Sequence, residues 1–210
     1  MAGCAIRDSP EAAFSQKIEP AMKQAIVFDL EFTAWDGSMR HRWLRPGEFK
    51  EVVQIGAVKV DAATLSVTDR FDTLVRPRIN PHLSPYLENL TGISNDDVRA
   101  RGRDFAGAYA DFLAFCGDAV TSAFGRDDLV LDENLRLYGL APPPAVPEFR
   151  DSRPWFRDQG FETKGLHSCD IGPRLGVPFE GRAHNALADA LSVAAGMAVL
   201  VARGAPSLFA

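Results

Sequence analysis

The sequence is poor in cysteine, with 3 in 210 residues. Cys4, Cys116 and Cys169 are far apart, odd in number and in no CxxC or Cys/His spacing, so neither a disulfide framework nor a zinc site is indicated. A reducing cytoplasm fits. An excess of positive charge is also lacking. With a formal net charge of -5, the chain has no bulk basic field of the kind that coats long nucleic acid, so any nucleic-acid contact should be local. No basic segment followed by an apolar run opens the chain, so no export signal is read. The longest uncharged stretch, 190–202, falls short of the roughly 20 apolar residues that a membrane span needs, which excludes a membrane as partner. No internal repeat is visible. What remains is 46% hydrophobic and long enough for one well-packed domain.

The most informative stretch is Ile26-Val27-Phe28-Asp29-Leu30-Glu31-Phe32-Thr33, an apolar run holding two acids with one residue between them. It reads as a strand. Side chains alternate along a strand, so Ile26, Phe28, Leu30 and Phe32 take one face while Val27, Asp29, Glu31 and Thr33 take the other. The two carboxylates then share a face about 6.6 Å apart. Two such anions repel unless a proton or cation lies between them, and a hard divalent metal suits oxygen ligands. The alternative is an edge strand with a solvated acidic face. The stretch by itself leaves both open.

Around it, residues 1–22 show weak periodicity and read as a loose arm or a short peripheral helix. Residues 34–50 mix Trp35, Arg40, His41, Arg42, Trp43 and Arg45 without a period, as in a loop. That mixture could hold a phosphate backbone and stack a base, or simply pack down on the domain. Residues 51–60 and 67–75 are rich in strand formers, and their short connection makes them antiparallel neighbours in a three-stranded meander. Helices follow at 84–92, capped by Ser84 with Pro85 in its first turn, and from Asp104 to a stop at Gly117. A short strand at 119–124, a helix marked by Leu131, Leu135 and Tyr138, a strand near 148–151 and a peripheral helix or turn from Arg153 continue the chain. The last helix, about 185–202, is apolar nearly all round except for Asp189. A buried ion there calls for a partner or cation. His184 can share a site with Asp189 only from the loop before the helix, which Asn185 as cap would arrange. Strands first and then strands alternating with helices argue for an α/β fold, a mixed sheet flanked by helices.

Three motifs in order, FDLEFT at 28–33, FGRDD at 124–128 and HNALAD at 184–189, resemble those of the DEDDh 3′-to-5′ exonucleases of the ribonuclease-H-like superfamily. EVVQIGAV, LVRPRINPHLSPY and LTGIS between them are similar as well, and the resemblance runs from about residue 25 to 202. Within the family, the second motif looks closest to the histone-mRNA and small-RNA exonucleases and the sporulation-inhibitor-like exonucleases. Phe124 stands where that branch often has Trp.

The resemblance implies a ribonuclease-H-like mixed sheet, an antiparallel meander plus parallel strands, with an exonuclease domain over 23–205 and a tail over 206–210. It implies Asp29, Glu31 and Asp189 on one metal ion, with Asp29 bridging to a second beside Asp128. Asp127 and Asp128 compete for that role, and the spacing from Gly125 favours Asp128. It further implies His184 as general base, and Phe32, Thr33 and Leu90 around the terminal nucleotide. The activity implied is Mg²⁺- or Mn²⁺-dependent hydrolysis from the 3′ end of single-stranded nucleic acid, RNA before DNA, releasing nucleoside 5′-monophosphates. A homodimer stays open. Two other readings compete: an aspartyl-phosphate phosphatase, since DLEFT is similar to a D-x-D-x-T loop, and a nucleic-acid-binding module without catalysis. Glu31 in place of the second Asp weighs against the first, and the complete set of acids against the second.

Overall fold

The computed structural model describes residues 23–210, so the expectation for 1–22 lies outside it. Five strands form one sheet: β1 (Gln24–Phe32), β2 (Val52–Asp61), β3 (Val67–Leu74), β4 (Val120–Ala123) and β5 (Phe149–Asp151), in the order β3-β2-β1-β4-β5. β1, β2 and β3 pair antiparallel as the expected meander, while β4 and β5 add in parallel on the other side of β1. The acidic strand is therefore central. The edge-strand reading fails because β1 pairs with β2 on one side and β4 on the other, and both of its faces are buried.

Each face has its own core. Ile26, Phe28 and Leu30 pack with Phe105 and Phe112 of α4 (Phe105–Cys116) and with Leu131 and Leu135 of α5 (Asp127–Leu137). On the other face Ala25 and Val27 meet Ile171 of α7 (Ser168–Arg174) and Val193 and Met197 of α8 (Ala186–Ala202). Every aliphatic or aromatic side chain so buried contributes about 1.5–3 kcal/mol, so β1 cannot shift register without exposing both sets at once.

The caps fall where expected. Ser84 accepts from the Leu87 amide at 3.1 Å to start α2 (Pro85–Thr91), and Asp104 accepts from Gly107 at 2.8 Å to start α4. Two short helices carried no readable period. α3 (Asn95–Arg101) is polar apart from Val98 and Ala100, and α7 contains Gly172 and Pro173. Residues 34–50, expected as loop, contain one helical turn, α1 (Ser38–His41).

Two expectations need correction. The helix after β5, α6 (Ser152–Asp158), is not peripheral, because Trp155 and Phe156 are buried in the second core. Residues 206–210 are not a tail. Phe209 is 1% exposed in that core, Trp155 donates to the Pro206 carbonyl at 3.0 Å, and Ser207 donates to the Ala62 carbonyl. Among the described residues no helix is long and apolar enough to cross a membrane.

Candidate active site

The site is assembled by the packing of α8 on β1 and β2. Gly56 lies opposite Asp29 in the β1–β2 register, and a Cβ there would come within 2.1 Å of the Leu187 amide nitrogen. Only glycine lets the first turn of α8 lie so close to the sheet. Next to it Gln54, opposite Glu31, accepts from the Ala186 amide at 3.0 Å and donates to Asp72 at 2.7 Å. The QIGAV stretch thus fixes where α8 begins. Asn185 caps the helix by accepting from Ala188 at 3.2 Å, and His184 stands just before it in the left-handed region at φ 59. A side chain with a Cβ takes that conformation at a cost, as residues held for function often do.

Asp29, Glu31 and Asp189 converge at the floor of a cavity of about 330 Å³. They are 8%, 7% and 3% exposed. Asp29 accepts a hydrogen bond from Ser168 at 2.7 Å, whereas Asp189 Oδ1 is buried without a partner among the described residues. Burial and the neighbouring Asp189 push the Asp29 carboxyl up to about 8, against the pull of Ser168 and Arg153. Glu31 is raised for the same reasons, burial first and then Asp29 and Asp189. Burial lifts Asp189 to about 7, although a hydrogen bond from the His184 backbone opposes it. A set of desolvated carboxylates with an orphaned oxygen suits a hard divalent cation. Glu31, His184 and Asp189 each offer a ligand atom within 4.8 Å of the other two, a candidate metal site.

The fourth acid is a correction. Asp128 does not line this cavity: Arg126 holds its carboxylate through two hydrogen bonds of 2.8 and 2.7 Å, and it borders a separate cavity with Phe28 and Phe112. Asp127 lines the site instead. Consecutive helical residues point about 100° apart, so with α5 beginning at Asp127 only one of the pair can face the acids. Burial and then Asp29 raise the Asp127 carboxyl well above the usual range, and Arg153 opposes them.

His184 lines the cavity, as do Phe32 and Leu90. Burial and then His167 lower the His184 imidazole, with Asp170 opposing, which favours the neutral form that can accept a proton. Thr33 is turned away from the expected role. Its hydroxyl donates to the Phe49 carbonyl at 2.5 Å and accepts from Glu51 at 3.0 Å, its amide donates to the Glu51 carbonyl at 2.8 Å, and its carbonyl accepts from Trp43. All of its polar groups are committed inside the fold.

Other residues line the cavity too, and three of them, His167, Ser168 and Arg153, carried no signal in the sequence. His167, whose ring meets that of His184 edge-on at 5.4 Å, and Ser168 come from the start of α7. Arg153 reaches in from α6 with its guanidinium 4.7 Å from the Phe124 ring. Trp35, Met39, Trp43 and Tyr86 form more of the wall. His167, Ser168 and Arg153 are lone residues in their stretches, brought in only by tertiary packing, whereas Trp35 and Trp43 belong to the Trp- and Arg-rich connection that the sequence offered as a base-stacking loop.

Comparison with known proteins agrees with this arrangement. The RNase_T exonuclease family model matches residues 26–196. The 3′-5′ exonuclease Snipper of Drosophila melanogaster is 24% identical over 202 residues, covering 86% of this chain and 70% of that protein. The 3′-5′ exoribonuclease 1 of Homo sapiens is 36% identical over 73 residues, which span 34% of this chain and 19% of the human protein. Among solved structures, the nuclease domain of 3′hExo, a DEDDh family member bound to rAMP, superposes with a TM-score of 0.75 at 22% identity, covering 90% of this chain and 97% of that one. A complex of a 3′-exonuclease that recognises the histone mRNA stem-loop gives 0.75 at 22% identity, with 89% and 66% covered. The fold is the ribonuclease-H-like one of the 3′hExo nuclease domain, and the chain belongs to the RNase_T exonuclease family.

Proposed function

We propose that the protein removes nucleoside 5′-monophosphates from the 3′ end of single-stranded nucleic acid, RNA in preference to DNA, with two divalent ions and His184 as general base. The carrying observation is the convergence of Asp29, Glu31, Asp127 and Asp189 beside His184, with one Asp189 oxygen left without a partner among the described residues. Asp29, Glu31 and Asp189 would hold one ion, Asp29 and Asp127 the other. Mg²⁺ or Mn²⁺ there would supply the positive charge that acidifies the attacking water and steadies the departing 3′ oxygen.

The protein's own part is to orient and to move one proton. Ser168 fixes the Asp29 carboxylate through its hydroxyl. His184, whose neutral form burial favours, accepts the proton of the attacking water at an imidazole nitrogen. Phe32 and Leu90 flank the terminal nucleoside, with Phe32 braced edge-on by Trp43 at 5.5 Å. The preference for RNA rests on the relatives, one an exoribonuclease by name and two structural neighbours bound to rAMP or specific for a histone mRNA stem-loop.

The test is directional. A 5′-labelled linear RNA should give a descending ladder that chelator stops and Mg²⁺ restores, and a circular strand of the same sequence should survive. Cleavage of the circle at a rate like that of the linear strand would overturn the reading.

A further inference from the structure

The connection between β1 and β2 carries five basic side chains, Arg40, His41, Arg42, Arg45 and Lys50, against Asp36, Glu48 and the fully buried Glu51, in a chain whose net charge is -5. It is built as a firm turn. The buried Ser38 hydroxyl accepts from the Trp35 amide at 2.8 Å and donates to Glu48 at 3.0 Å, and Arg45 donates to the Asp36 carbonyl at 2.9 Å. Trp43 is pinned by its indole N–H on the Thr33 carbonyl at 2.8 Å, with the Lys50 ammonium 4.9 Å from its ring.

Arg42 and Trp43 both stand in the left-handed region, at φ 53 and 55. Two successive residues with a Cβ in that region make a strained bend, which persists only where the surroundings hold it. Trp43 lines the cavity while Arg40, His41 and Arg42 lie exposed. Among the described residues Arg40 and Arg42 make no side-chain hydrogen bond or ion pair. Of the cavity's lining, Met39 is 68% exposed and Tyr86 is 40% exposed, large apolar surfaces that the fold leaves uncovered. Uncommitted cations beside exposed apolar and aromatic faces are what a single strand needs, charge for its phosphates and flat surface for its bases.

We propose that α1 and its flanks form a second nucleotide subsite in the outer wall of the same cavity, beyond the place of the terminal nucleoside, for the strand that leads into the cleft. Met39 and Tyr86 take a base of the next nucleotides, and Arg40 and Arg42 neutralise the phosphates between them. The proposal rests on the exonuclease reading, because it supposes that the strand enters at this cavity.

Affinity, measured apart from turnover, tests it. Fluorescence anisotropy of a fluorescein-labelled single strand of about 12 nucleotides reads the whole path, and binding of a nucleoside 5′-monophosphate reads the terminal pocket alone. R40E/R42E should weaken the oligonucleotide about tenfold and lower the steepness of its salt dependence by about 1.4, at roughly 0.7 per phosphate contact for a single strand. The monophosphate should change less than about twofold, and Met39→Ala should weaken the oligonucleotide without altering the salt slope. Unchanged oligonucleotide affinity, or equal weakening of both ligands, would overturn the proposal. Failure of the underlying reading looks different: wild-type protein would bind the oligonucleotide and leave a linear strand intact.

Discussion

The buried carboxylate of Glu51 and the buried carboxylates of the cavity have opposite surroundings in this fold. Glu51, just before β2, is 0% exposed, and its oxygens accept from the backbone amides of Arg78, Ile79 and Asn80 at 2.7, 2.6 and 2.6 Å, from the Asn80 side chain at 3.0 Å and from the Tyr138 hydroxyl at 2.7 Å. Asp29 has one hydrogen bond from Ser168, and one oxygen of Asp189 has none among the described residues. A buried carboxylate surrounded by donors is a structural fastener, here tying residues 78–80 to the sheet and to α5. Buried carboxylates surrounded by one another are unstable as ions until a cation arrives. The difference between donors and rivals separates architecture from chemistry, although the residue types are the same.

The sharpest break of that comparison is Asp29→Asn. Turnover should fall below detection, because the position proposed to serve both ions loses its charge. The metal-free variant should melt no lower than wild type, since the amide oxygen can still accept from Ser168 and one source of repulsion is gone. Steady-state assays and calorimetry in chelator check both halves, and unchanged activity would remove the central claim. Next in size, His184→Ala should lower kcat by about 10²- to 10⁴-fold, the usual span of a general base. Metal affinity by titration calorimetry should survive, and its loss would make His184 a ligand.

Asp127 and Asp128 make the same contrast within one dipeptide. Asp127→Asn should lower kcat about 10²-fold or more, while Asp128→Asn, which breaks only a partly exposed pair with Arg126, should change it by less than about threefold. The sequence could not separate them, because the choice depends on the phase of α5. That phase is set by a helix starting after Arg126, a residue with no side-chain cap. Legible features were those with a local cause: the period-two faces of β1, the Asn185 cap that puts His184 in a loop, the meander. Thr33 was misread because its partners, Phe49 and Glu51, come from across the connection. Phe209 lies in a stretch of five with no period to show that it is core. Gly56 shows how a motif can be read without its reason, which is contact with a helix about 130 residues away.

On the structural side of the comparison, Glu51→Gln should cost stability rather than chemistry. The amide keeps one acceptor oxygen but turns an NH₂ toward groups that are themselves donors, a loss of roughly 2–4 kcal/mol. For a domain of this size the melting temperature should fall by roughly 5–15 °C. The kcat of the protein that remains folded should stay close to wild type. A variant of normal stability would mean that the five hydrogen bonds around Glu51 are not the fastener they resemble.

The smallest effect expected is a pH dependence of opposite sign to that of most acidic sites. Asp29, pushed up to about 8, and Asp189, pushed up to about 7, hold protons in the metal-free fold that the unfolded chain has already released above about pH 4. Between those limits the native state binds more protons than the unfolded one, so stability falls as pH rises and levels off once both states are ionised. In excess chelator the protein should therefore lose stability steadily between about pH 5 and 8, beyond whatever its surface groups contribute. Asp29→Asn, which removes one of the titrating groups and relieves the others, isolates that part as the difference between two denaturation series. Saturating Mg²⁺ should cancel the slope, because the ion binds the deprotonated acids and its contribution grows as the protons leave. A metal-free wild type that becomes more stable from pH 5 to 8, by more than the variant does, would mean that these carboxylates are already ionised in the empty fold and that the repulsion among them is relieved without a cation.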